Sequence, residues 1–415
     1  MHNKYLKNEK LSIALFLALF IVNATVYMTK NMFSAAMATI VEEGVMTKAQ
    51  TGAISASFWF VYAIFQIFGG FAADKFSPFR LIGIGLVSGI ISNLIISVNQ
   101  SYTVIMVVWC LNAAFQFGLW PGVFKIVSSQ TAPAIRGTAV FWVILSNSAG
   151  QALSLFVASL VKRWEQNFVV SAVSLTVMLV FWAVFYKTIE KSMVENTAAS
   201  GKEGKKHENK ADMKSLVRLS GFPVLALIAF LIVTINNGIK MVTPVMLTET
   251  YHNMPAAIAT RLSVLLVVFS TLGMFVANFV RTKVTQHEMK AIMLLLALSL
   301  PALFVTCFVG KISYLIILAV LAVGALFIHG AYPFSNSFAA ARFSDCGRNG
   351  TVSGILNGAA AVGNIFASYV IPKMSESMSW SSIVLFWIGF ILAATLLAAG
   401  MMRKWTAFIG EKEIQ

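Results

Sequence analysis

Long apolar runs alternate with short polar connections along almost the whole chain. A span must be predominantly apolar for about 20 residues to cross roughly 30 Å of hydrocarbon. By that measure the pattern predicts twelve spans, near residues 11–35, 50–72, 80–98, 102–127, 137–160, 168–187, 220–247, 258–280, 290–308, 313–336, 350–372 and 379–402. The first run outlasts the apolar core of a cleavable leader, and no small-residue cleavage site follows it, so it is read as helix one. The one long polar stretch, from about Glu190 to Arg218, contains ENTAASGKEGKKHENKADMK, whose charge and small residues predict a solvated linker. The expected organisation is an all-α membrane protein with an N-terminal six-helix half over 1–188, a cytoplasmic linker over 189–219 and a C-terminal six-helix half over 220–415.

The two halves echo each other. Gly118 to Pro121 (GLWP) recurs as Gly330 to Pro333 (GAYP), and Arg136-Gly137-Thr138 recurs as Asn349-Gly350-Thr351. Lys30 lies 19 residues after Leu11, and Lys240 lies 19 after Gly221. A parallel repeat of six-helix halves is an architecture of transporters. Gly85 to Gly89 and Gly354 to Gly358 carry the small-residue spacing of close helix contacts. Pro121, Pro244, Pro301 and Pro333 are expected to bend their helices.

Composition agrees with this picture. The chain is 58% hydrophobic and 11% charged, too apolar for a soluble globule of 415 residues. Cys110, Cys307 and Cys346 are scattered, which speaks against a disulfide framework or a metal cluster. The net charge of +15 reads as topology rather than nucleic-acid binding, since a cytoplasmic amino terminus puts 22 of the 31 basic residues in connections on that side and six outside. Lys162 and Arg163 go against the trend. Both termini are therefore expected in the cytoplasm, with anionic lipid as a contact.

Three lysines remain inside predicted spans: Lys30, Lys125 and Lys240. An ammonium at membrane depth costs about 2.5–3.5 kcal/mol on insertion scales, so it normally faces a polar interior with a partner or a function. All sixteen acidic residues fall in loops, tails or span ends, which leaves no buried carboxylate expected to neutralise the lysines or carry a proton or sodium. An unpaired buried cation loses its proton or acquires an anion, and the economical reading is that the substrate is the anion. Lys125 and Lys240, near span ends, are open to a snorkelling role. Asn147, Asn236 and Asn237 offer hydrogen bonds to a ligand or between helices. His329 is the intramembrane candidate for proton coupling. Trp59, Tyr62 and Trp120 offer cavity walls or cation–π faces.

The segment Gly70-Phe-Ala-Ala-Asp74-Lys75-Phe-Ser-Pro78-Phe-Arg80, between predicted spans two and three, resembles the signature loop of the major facilitator superfamily. Its second-half counterpart, near Asn278 to Lys283, lacks the glycine and the acid. The stretch Tyr27-Met-Thr-Lys30-Asn31-Met-Phe33-Ser34, with Phe115-Gln116 through Trp120-Pro121 to Lys125, is similar to spans one and four of the organophosphate:phosphate antiporters, and related organic-anion symporters share part of it. The resemblance implies a twelve-helix fold with its site between the halves, and gating by Gly70, Asp74, Lys75 and Arg80, with Asp74 directed towards Gly350. It also implies departures. The family's span-one arginine is matched here by Lys30, its span-seven arginine by Asn236 with Lys240 four residues on, and its span-five histidine by Asn147. Lysine is a compact point charge where arginine is a planar fork, so carboxylates, sulfonates and phosphoesters are all candidate substrates.

The expected function is a monomeric inner-membrane secondary transporter of a small organic anion, bound by Lys30, Lys125, Lys240, Asn236, Asn237, Asn147, Tyr62, Trp120 and His329. Alternating access is the mechanism, anion exchange is favoured over obligatory proton symport, and no cofactor, metal or nucleic acid is implied. A ligand sensor and a drug or metabolite exporter are the rival readings. The exporter usually wants a buried acid, and no nucleophile–base pair or phosphate-cradling glycine loop points to an enzyme or an ATP-driven pump.

Overall fold

The computed structural model describes residues 4–195, 220–251, 254–343 and 349–413. Within them the chain forms two compact units, residues 1–205 and 206–415. The linker expected at 189–219 lies outside the described residues from 196 onwards.

Unit 1 contains α1 (Glu9–Lys30), α2 (Met32–Glu42), α3 (Lys48–Lys75), α4 (Pro78–Ser97), α5 (Tyr102–Phe115), α6 (Leu119–Ser129), α7 (Arg136–Ala158) and α8 (Trp164–Glu190). Unit 2 contains α9 (Phe222–Thr250), α10 (Ala256–Phe279), α11 (Glu288–Thr306), α12 (Tyr314–Ser335), α13 (Ser337–Ala341), α14 (Asn349–Met374) and α15 (Trp380–Glu413). Joining α1 to α2, α5 to α6 and α12 to α13 as single spans gives eleven stretches long and apolar enough to cross a membrane. The 28-residue α3 lies between the first two of them, so the described residues hold twelve long helical spans. The chain is a multi-pass, all-helical membrane protein, apart from a two-residue antiparallel pairing of Lys4–Tyr5 with Val194–Glu195.

Three spans are interrupted, and side-chain amides sit at each break. Between α1 and α2, Asn31 turns its Nδ2 back onto the Tyr27 carbonyl at 2.7 Å, occupying an acceptor of the helical ladder. Between α5 and α6, Gln116 donates to Asn112 Oδ1 at 2.8 Å. Between α12 and α13, Asn336 leaves helical geometry at φ −124 and ψ −87, three residues after Pro333. Its amide donates to Asn357 Oδ1 at 2.7 Å. Pro333 removes one ladder donor, and the amides at these breaks bond one another, a tyrosine hydroxyl or a carbonyl, partners that hydrocarbon cannot supply.

Close helix crossings use glycine where backbones meet. A Cβ on Gly150 of α7 would strike the Ala24 carbonyl oxygen and stand 2.6 Å from the Tyr27 Cβ of α1. In unit 2 a Cβ on Gly363 of α14 would come within 2.7 Å of the Phe230 carbonyl of α9. Gly69 against the Phe117 carbonyl and Gly273 against the Leu326 carbonyl are a second matched pair, each just before the repeated GLWP or GAYP motif. Of the glycine spacings noted in the sequence, Gly85 and Gly89 do pack closely, against Leu119 and Leu175. Gly354 and Gly358 do not: a Cβ there meets nothing within 4 Å, which corrects the reading of that pair as a close contact.

The helix ends are tied by polar contacts. Glu43, following α2, accepts from the Trp164 backbone N–H at 2.9 Å, filling an orphan donor at the start of α8 with a carboxylate that the helix dipole favours. The expectation of no buried carboxylate fails at Glu288. This residue opens α11 and is 2% exposed. Its two oxygens accept from Arg342 Nε at 2.7 Å and Trp405 Nε1 at 2.9 Å. The carboxylate is at a span end, as its sequence position implies, but it is buried because an arginine and an indole from other elements replace its water.

Candidate functional site

Each unit buries one intramembrane lysine, and the surroundings differ. In unit 1, Lys30 closes the last turn of α1, where the carbonyl end of the helix favours a cation. It is 3% exposed. Its Nζ lies 4.9 Å from the Tyr27 ring centroid and 4.1 Å from that of Tyr62. Tyr27 is three residues back on the same helix face, and Tyr62 comes from α3. No hydrogen-bond partner meets this Nζ, nor the buried Tyr62 hydroxyl, among the described residues. The cage is reinforced from behind. Tyr62 stacks on Phe58 at 6.1 Å between centroids and meets Trp59 edge-on at 5.9 Å. Tyr27 meets Trp120 of α6 edge-on at 6.5 Å. Tyr62 and Trp120, singled out in the sequence, thus join Lys30 in one cluster, one in contact and one through Tyr27.

Two other unit 1 candidates stand apart. Asn147 accepts from Asn23 Nδ2 at 2.7 Å, and the same amide donates to Ser146 Oγ at 2.7 Å. Asn23 is seven residues from Lys30, or about 10 Å along the helix, so this network ties α7 to α1 two turns away from the ammonium. Lys125 is half-buried on α6. Five residues after Trp120, it is turned through about 140° from that ring's direction.

In unit 2, Lys240 of α9 is 7% exposed. Asn236, one turn earlier on nearly the same face, accepts from Ser270 Oγ of α10 at 3.1 Å. His329 of α12 lies within electrostatic reach of Lys240 and against the Ser270 backbone, and its Nδ1 has no hydrogen-bond partner among the described residues. Its ring is 6.1 Å from that of Tyr332, whose hydroxyl accepts from Asn336. Asn236, Lys240 and His329 are thereby drawn into one polar cluster. Asn237 is only half-buried, on the neighbouring face of α9.

Tyr27, Ser270, Tyr332, Asn336 and Asn357 are not among the site residues that the sequence predicts. The repeat held a signal for one of them: Trp120 in GLWP stands beside the Lys30 cage, and Tyr332, its counterpart in GAYP, stands beside the Lys240 cluster. Of the residues assigned to gating, Gly70, Asp74 and Lys75 are in the last turns of α3, and the side chains of Asp74 and Lys75 and the surroundings of Gly70 lie outside what is described. Arg80, in the first turn of α4, is exposed. Among the described residues no group of three or more His, Cys, Asp or Glu side chains is placed to hold a metal ion.

The chain is similar to several known proteins. A probable hexose phosphate transport protein of Chlamydia pneumoniae is 29% identical over 136 residues, 33% of this chain and 30% of that protein. The membrane sensor protein UhpC of Escherichia coli K12 is 28% identical over 126 residues, 30% of this chain and 28% of the sensor. The chain thus matches about a third of the length of these curated relatives. A bacterial homolog of the human lysosomal transporter Spinster, solved inward-facing and unoccupied, shares the fold at a TM-score of 0.74 and 14% identity, over 97% of this chain and 98% of that one. The Major Facilitator Superfamily model matches residues 19–309. Because that family model covers more than half of its length, the chain belongs to the Major Facilitator Superfamily.

Proposed function

We propose that the chain is a secondary transporter of the inner membrane that moves a small organic anion by alternating access, with Lys30 as the principal countercharge. The carrying observation is the Lys30 ammonium, enclosed at the end of α1 with two tyrosine rings and no acceptor among the described residues. Two ring faces, at about 2 kcal/mol each for a desolvated cation, offset part of the several kcal/mol that an ion loses on leaving water but replace none of its hydrogen bonds. An anion from solution closes that deficit. The relative named for hexose phosphate transport supports an anionic substrate, and the sugar phosphates, sugar acids and other carboxylates or sulfonates form the class. Lys240 is the corresponding cation of unit 2, with Asn236 and His329 beside it. Anion exchange is favoured over obligatory proton symport, because the buried carboxylate Glu288 is already held by Arg342. Both termini are assigned to the cytoplasm from the basic connections.

The test is uptake into proteoliposomes of a labelled panel of glucose 6-phosphate, glycerol 3-phosphate, glucuronate and a dicarboxylate. Losing a charge-assisted contact costs about 1.5–3 kcal/mol, so Lys30→Gln should lower uptake roughly ten- to a hundredfold with an unchanged melting temperature. Uptake by Lys30→Gln equal to wild type removes Lys30 from the site. The similarity to the sensor UhpC favours a second reading, a membrane sensor of the same anion class. Lys30-dependent binding without flux would select it.

A further inference from the structure

Unit 1 carries a second recess, away from the lysine cage. The outer faces of α4, α5 and α8 leave a groove of about 710 Å³. Its lips include Ile84, Val87, Ile91 and Leu111, each at least 42% exposed. The lining runs along α4 from Arg80 to Ile95, about 22 Å at the helical rise per residue. One leaflet of hydrocarbon is about 15 Å deep, so an acyl chain entering at Arg80 stays within the groove along its length.

The Arg80 end differs chemically from the rest. Arg80 is the groove's charged residue, it is exposed, and it stands in the first turn of α4 beside Phe79. Phe79 stacks on Trp182 with centroids 6.1 Å apart. Trp182 also lines the groove but is itself fully buried, so the stack gives this end an apolar floor. A cation at the rim and a long apolar trough beyond it follow the order of groups in a phospholipid: phosphate, then acyl chain.

We propose that this groove is a binding site for one anionic phospholipid, its phosphate on Arg80 and one acyl chain along α4. The site does not depend on the transport reading, because no residue of the Lys30 cage lines it. Its depth comes from small residues, and Gly83 provides the probe: a Cβ there meets nothing within 4 Å, so a larger side chain enters the groove without disturbing the packing.

The full-length protein is reconstituted into vesicles of roughly equal parts phosphatidylcholine and phosphatidylglycerol, extracted in mild detergent and weighed by native mass spectrometry. One phosphatidylglycerol should be retained per chain, preferred over phosphatidylcholine by about fivefold, the share of one basic residue at an anionic surface. Gly83→Leu should abolish retention of both lipids with the melting temperature in lipid-free detergent unchanged. Arg80→Gln should keep a lipid but lose the preference. If Gly83→Leu melts early, Ile91→Trp on the exposed lip serves as the second plug. A plugged, folded variant that retains phosphatidylglycerol like wild type overturns the proposal. Equal retention of the two lipids by wild type does so as well.

Discussion

Gly150→Ala is a one-methyl change whose cost the structure sets. The new carbon would fall on the Ala24 carbonyl oxygen, 2.6 Å from the Tyr27 Cβ and 2.9 Å from the Met28 backbone nitrogen. Those are backbone or backbone-anchored atoms of α1, so no side-chain rotation relieves them, and α1 and α7 must part by about 1 Å to restore ordinary contact distances. Overpacking costs about 1–3 kcal/mol, the upper part of that range, about 2–3, applying where backbone cannot give way, against a gain of about 1 kcal/mol from replacing glycine inside a helix. The net loss is about 1–2 kcal/mol. Gly358→Ala is the control, because nothing lies within 4 Å of its new carbon and only the propensity gain remains. Units of about 200 residues shift by roughly 2–4 °C per kcal/mol, so the two variants should melt about 4–12 °C apart, with wild type between them. The assay is a thermal ramp in detergent followed by tryptophan fluorescence at one fixed scan rate. If Gly150→Ala melts with or above wild type, the α1–α7 crossing is not as close as described, and the placement of Tyr27 against Lys30 is in doubt with it.

Three further expectations follow from contacts described above. Arg342→Met leaves the Glu288 carboxylate, 3% exposed at its side chain, without its cation. It should cost up to about 3 kcal/mol, the low end for a buried pair because Arg342 is itself 31% exposed. Glu288→Gln should be milder, and an Arg342→Met protein as stable as wild type would show that the pair contributes nothing. Asn147→Ala should lower the melting temperature by the equivalent of about 0.6–1.7 kcal/mol, the range for interhelical polar contacts, without changing anion affinity in a binding titration. A large affinity loss at unchanged stability would move Asn147 into the ligand site. His287, which precedes α11 and bonds Thr406 at 2.9 Å, is held below the ordinary histidine pKa by burial first, with Lys290 and Arg342 acting the same way against Glu288. The folded state therefore favours the neutral ring, so its contribution to stability is present above the ordinary histidine range and is lost as pH falls through it. Melting temperature should fall between pH 7.5 and 5.5, and His287→Gln should flatten that slope. An unchanged slope would assign the pH dependence elsewhere.

The spans were legible because bilayer thickness writes itself into the length of apolar runs, and the duplicated architecture showed in GLWP and GAYP. Lys30 was legible for the same reason in reverse, as a charge where the solvent forbids one. Its cage was readable in half. Tyr62 is an aromatic that the sequence points to, whereas Tyr27, three residues before the lysine, enters only as part of the stretch that carries the family resemblance, because periodicity places a residue on a face without saying what comes to meet it. Glu288 failed for a related reason: a sequence gives distance from a span end, but burial there depends on Arg342 and Trp405, 54 and 117 residues away. The spacing of Gly354 and Gly358 misled because small residues also occur where a helix faces open space, and only the partner backbone distinguishes the two cases.

Lys30 and Asn31 are consecutive, so the ammonium and the joint between α1 and α2 form one mechanical element. Ahead of the joint, 22 residues of α1 pack against α7. Behind it, 11 residues of α2 lean on α3, α7 and α8. A pull on the amine is a torque about the joint where the Asn31 side-chain amide and backbone N–H share the Tyr27 carbonyl. Whatever grips this lysine thereby also sets the angle of the first span, with no relay of intervening side chains.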